Sequence, residues 1–102
     1  MSDTKQLKYA AKAAGFEVAR IADDGKALML YGLQEPWNPR MDNGQAFELA
    51  MLVDITVRRI NPYVYAIGKT QHQARFDNAD DMMAAAREAV VLAAAEIGKA
   101  MK

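Results

Sequence analysis

Apolar side chains at Leu7, Ala10, Ala11 and Ala14 follow the i, i+3, i+4, i+7 spacing of one helix face, and Gly15 supplies a stop, so the chain opens with a short helix. Lys5, Lys8 and Lys12 fall on its other side as a solvated face, a reading preferred over a contact stripe for an anionic partner. Residues 16–21 and 27–33 are β-type runs. Between them Asp24-Gly25 offers the positive φ angles of a tight turn, which predicts a hairpin. Pro36 and Pro39 then hold residues 34–41 in an irregular loop.

Asp42 stands where it can cap a second helix over residues 43–52, with Gln45 reaching back in the manner of a capping box. Ala46, Phe47, Leu49, Ala50, Met51 and Val53 cover most of that helix's circumference, so it is expected to be well buried with Glu48 as its polar edge. Strands are predicted at 54–59, 63–67 and 70–76, separated by Asn61-Pro62 and by a two-residue Gly68-Lys69 turn. The last alternates, with Thr70, His72, Ala74 and Phe76 on one face and Gln71, Gln73 and Arg75 on the other. From Ala79 onward the chain is alanine-rich, and Met82, Ala86, Val90, Ala93 and Ile97 mark a long helix that packs on the sheet.

The predicted order is α-β-β-α-β-β-β-α, and three helices cannot all cover one face of so small a sheet. The expected fold is therefore α+β, a three-layer α/β/α sandwich around one mostly antiparallel five-stranded sheet. A length of 102 residues, 52% apolar and 25% charged, fits one domain spanning 1–102 and excludes a disordered or collagenous chain. Thirteen basic and thirteen acidic side chains cancel, and each half is balanced to within one charge, six basic and seven acidic over residues 1–51 and seven and six over the remainder. No apolar run is long enough to span a membrane, the first twelve residues do not read as a secretory signal, and cysteine is absent, which together place the protein in a reducing cytoplasm.

The inventory narrows the chemistry. Ser2 is the single serine and stands at the start of the chain, and there is no cysteine, so a hydrolase nucleophile is lacking. Gly68-Lys69-Thr70 resembles the end of a phosphate-binding loop, but Tyr63 replaces the earlier glycine and a strand follows where a helix is required. Asp77, Asp81 and Glu88 match three positions of a calcium loop whose turn glycine is replaced by Met82, so helix capping accounts for them better. His72 could act as a general base beside Asp54 or Asp77, although a single histidine within a strand more often serves packing. These readings imply no enzyme activity, metal or cofactor.

Two clusters remain as candidate binding sites. Arg58, Arg59, Tyr63, Tyr65 and Arg75 interleave cations with aromatic rings, as single-stranded nucleic-acid binders do, although Tyr63 and Tyr65 share their alternation with Ile67 and could instead be core. The segment Trp37-Asn38-Pro39-Arg40-Met41-Asp42-Asn43-Gly44 holds the one tryptophan, two amides and a helix N-terminus that can meet an anion. Its competing explanation is structural, with Trp37 anchoring the loop and Asp42 capping the helix, and the two roles can coexist. The ligand-binding candidates are accordingly Trp37, Asn38, Arg40, Asp42, Asn43 and His72.

Trp37-Asn38-Pro39 followed by Asp42, Gly44, Ala46, Leu49 and Ala50, with the later run from Arg87 to Gly98, resembles the phage α/β/α-sandwich family, small proteins of bacteriophages and prophages. Gln45 stands where that family commonly has an acidic residue. The resemblance implies an α/β/α fold, a phage or prophage origin and residence in the host cytoplasm, and it carries no established activity. The expectation is a non-enzymatic accessory protein that binds a host protein or a small ligand in a counter-defence role, with a nucleic-acid-binding module as the alternative. Exposed sheet edges and an alanine-rich helix also admit a homodimer.

Overall fold

The computed structural model describes residues 3–101, so Ser2 lies outside them. Its order is α1 (Asp3–Ala14), β1 (Val18–Ala22), β2 (Ala27–Leu30), α2 (Asn43–Val53), β3 (Thr56–Ile60), β4 (Tyr63–Ile67), β5 (Gln71–Arg75) and α3 (Met82–Ala100). Short 3-10 turns at Asp23–Gly25 and Ala79–Asp81 join β1 to β2 and lead into α3. The predicted element order holds, and the mixed α+β class with it.

The single five-stranded sheet does not form. β1 and β2 pair as a two-stranded antiparallel hairpin, while β3, β4 and β5 make a separate three-stranded antiparallel sheet with β4 in the centre. The physical reason lies at the free edge of β2. Leu28 exchanges both backbone hydrogen bonds with Trp37, at 3.0 and 2.7 Å, so the loop, and not β3, satisfies that edge. The first hairpin also turns through four residues, 23–26, instead of two. Asp23, Asp24 and Gly25 all take positive φ there, and Thr4 Oγ1 donates to the Gly25 carbonyl at 2.7 Å, tying the turn to α1. The β4–β5 turn likewise has three residues, closed by Gly68 N–H to the Thr70 carbonyl at 3.0 Å.

Helix α3 is the hub. It packs against α1, α2, β4 and β5, and Ala89, Val90, Val91, Ala93, Ala94 and Ala95 are buried nearly all the way round it. Its small side chains allow close approach, tightest at Gly98, where a Cβ atom would meet the backbone of Tyr9 on α1. Leu7, Ala10 and Ala11 of α1, Leu28 and Leu30 of β2, Trp37, and Leu49 and Ala50 of α2 complete this core. A smaller cluster of Val64, Phe76 and Ala85 joins the sheet to the start of α3.

Two expectations about burial are corrected. Only Ala46, Leu49 and Ala50 of α2 are buried, while Phe47, Met51 and Leu52 stand 70%, 67% and 53% exposed. A helix apolar over most of its circumference, with only a narrow polar edge at Glu48, does not mark which side meets the core, and here only one side is covered. The three-layer sandwich fails for a related reason: the sheet's inner face packs on α3 through Val64 and Ala66, but among the described residues no helix packs on its outer face. Tyr63 and Tyr65 lie on that outer face and not in the core.

Candidate functional site

The Trp37 segment brings five of the sequence candidates together, and nearly every polar group in it is engaged by the fold. Trp37 is 2% exposed and meets the Phe16 ring edge-on at 5.7 Å between centroids, while Pro39 is fully buried beside it. The Asn38 carbonyl accepts from the N–H groups of Met41 and Asp42 at 3.0 and 3.1 Å. Asp42 caps α2 by accepting from Gln45 N–H at 2.8 Å. Gln45 does reach back, but past the cap: its Oε1 accepts from Asn38 N–H at 2.6 Å and its Nε2 donates to the Pro36 carbonyl at 3.3 Å.

Two arginines complete the fastening. Arg40 donates from Nε to Glu88 Oε2 at 3.1 Å, from Nη1 to the Asp3 carbonyl at 3.3 Å and from Nη2 to Gln6 Oε1, so one guanidinium joins the loop to α1 and α3. Arg87 donates from α3 to the Arg40 carbonyl and to Asn43 Oδ1, both at 2.6 Å. The segment is therefore a clamp between three helices and the hairpin. Its anion-binding capacity is largely occupied, because Arg40, Asp42 and Asn43 already have partners. Asn38 Oδ1 alone, among the described residues, is a buried side-chain polar atom without one, beside a shallow hollow lined by Asp3, Lys26, Asn38, Arg40 and Met41.

His72 is not among the side chains lining that hollow. It sits half-buried on the inner face of β5, with Nε2 2.9 Å from Thr70 Oγ1, facing a small cleft lined by Gln6, Leu92, Ala95 and Glu96. Among the described residues no group of three or more His, Asp or Glu side chains is placed to hold a metal ion, and no helix is long and apolar enough to cross a membrane.

The basic and aromatic candidates divide by strand alternation. Directly opposed residues of antiparallel strands share a face, so Arg58, Tyr65 and Gln73 form one row of the outer face and Ile60, Tyr63 and Arg75 the next. Arg59 belongs to the inner face. It lies over the Phe76 ring at 5.5 Å and donates to Asn61 Oδ1 at 2.8 Å.

A second feature was invisible in the sequence pattern. Phe47 borders an apolar groove of about 160 Å³ between α2, α3 and β3, lined also by Ala46, Ala50, Val57, Met83 and Val90. Val57 and Met83 are themselves substantially exposed at its rim. The signal available beforehand was the spread of apolar residues over most of α2's circumference, which does not mark which side meets the core. Comparison with family models, curated proteins and solved structures finds no match to this chain.

Proposed function

We propose that the chain is a non-enzymatic accessory protein, of the phage or prophage kind that its Trp37 segment resembles, and that it works by protein contact through the outer face of α2. One observation carries this reading: α2 is apolar over most of its circumference, yet the fold covers only the side bearing Ala46, Leu49 and Ala50 and leaves Phe47, Met51 and Leu52 exposed. The Trp37 loop supports that surface from behind. Its last residue, Asp42, caps α2, and Arg87 of α3 holds Asn43, which together set the start of that helix.

The occupant that fits is a second copy. Phe47 is an exposed ring beside a groove lined by the small residues Ala46, Ala50 and Ala86, and a two-fold arrangement would let each copy's ring fill the other's groove. A net charge of zero raises no long-range repulsion between copies. Removing each ring from water contributes about 1.5–3 kcal/mol, and symmetry counts it twice. Sedimentation equilibrium tests this. The wild type is expected to sediment as a dimer at micromolar concentration, and Phe47→Glu to weaken association about a hundredfold or more with its far-ultraviolet circular dichroism unchanged. A wild type that stays monomeric up to millimolar concentration overturns the proposal.

A further inference from the structure

The outer face of the three-stranded sheet is a second surface with a different chemistry. No acidic residue occurs between Asp54 and Asp77, whereas Arg58, Arg59, Lys69 and Arg75 all fall there. Balanced totals in each half of the chain conceal this local excess of positive charge. Arg59 is turned to the inner face, leaving Arg58 and Arg75 to flank the tyrosines on the outer one. Arg58 is exposed, with no side-chain hydrogen bond or ion pair to another described residue. Arg75 has only a solvent-exposed pair with Asp77 at 3.3 Å, which a phosphate can replace at little cost.

Between these cations lie two half-exposed rings. Tyr63 and Tyr65 stand two residues apart on β4 with centroids 6.1 Å apart, and Gln71 and Gln73 place exposed amides alongside them on β5. Aromatic rings provide sequence-tolerant stacking for unpaired bases, arginines hold the backbone phosphates, and amides can meet base edges. Duplex nucleic acid offers a flat sheet none of its base faces, since they are stacked within the helix. From this juxtaposition we infer that the outer face of β3–β5 binds single-stranded nucleic acid. The inference rests on a different face from that of α2 and stands or falls separately.

Fluorescence anisotropy of the full chain with a labelled single strand of about twelve nucleotides, within the site sizes of known sheet binders, reads this directly. Two phosphate contacts, from Arg58 and Arg75, predict a salt slope of about −1.4, or roughly a sevenfold loss of affinity between about 50 and 200 mM salt. Arg58→Ala should make that slope shallower by about 0.7. Tyr65→Ala should weaken binding at least about fivefold, with Tyr65→Phe close to wild type because the stacking ring is kept. Gln73→Glu, at an exposed strand position, should weaken binding by placing a negative charge in the same row as Tyr65 and Arg58. The inference is overturned if the single strand does not bind at low salt, if a hairpin duplex of the same length binds equally well, or if Gln73→Glu and Arg58→Ala leave binding unchanged.

Discussion

Gly98→Ala is the sharpest probe of how this chain holds together. On an open helix the change would stabilise by about 1 kcal/mol, because alanine exceeds glycine in helix propensity by that amount. At position 98 the new methyl falls within the van der Waals envelope of the Tyr9 carbonyl oxygen, 2.6 Å from its carbon and 3.1 Å from its Cα. Carbon atoms at rest sit about 3.5–4.0 Å apart, so α1 and α3 must separate by roughly 1 Å. No side-chain rotation relieves this contact, since the obstacle is backbone, held in place by Leu7, Ala10 and Ala11 at zero exposure. Separation on that scale forfeits a quarter to a half of the dispersion energy along the seam, and overpacking costs about 1–3 kcal/mol or more. The helix-propensity gain cannot offset that loss. A net destabilisation of about 2 kcal/mol is expected, lowering Tm by about 8–16 °C, with an unchanged urea m-value showing that cooperativity survives. A Gly98→Ala protein as stable as wild type, or more stable, would refute the close helix contact.

Other substitutions separate the roles of the clamp. Trp37, as the one tryptophan, should emit at shorter wavelength than tryptophan in water and resist acrylamide quenching, and Trp37→Ala should cost about 3–5 kcal/mol in urea unfolding. Asp42→Ala removes the acceptor for Gln45 N–H and should cost about 1 kcal/mol, measured the same way. Arg40→Ala should cost about 2 kcal/mol, since it removes donors to α1 and α3 together, and amide exchange should then quicken in the loop before it does so in α3.

Local signals in the sequence were read well where they are local in cause. Strand β4 falls at 63–67 as predicted because Pro62 and Gly68 bound it, and the Asp42 cap begins α2 at the expected residue. Sheet membership is a tertiary outcome. Nothing in residues 27–33 shows that the backbone of Trp37 will take the edge of β2, so one sheet was expected where two form. Alternation alone places Arg58 and Arg59 on opposite faces, but deciding which face is open needed the register with Tyr65 and Val64 and the position of α3. The Trp37 segment showed its importance in composition, whereas its role as a fastening became visible only through partners as distant in sequence as Arg87 and Glu88. The exposed flank of α2 is hidden because periodicity carries little information in a helix that is apolar over most of its circumference.

The α2 surface can be observed directly by mixing isotopically labelled and unlabelled chains and recording isotope-filtered nuclear Overhauser contacts at micromolar to millimolar concentration. Cross-peaks are expected between the Phe47 ring of one copy and the methyl groups of Val57 and Met83 of the partner subunit, and they should vanish in Phe47→Glu. Spectra with only intramolecular contacts, from a protein that remains monomeric throughout, would contradict the proposal that this face is covered by a second copy.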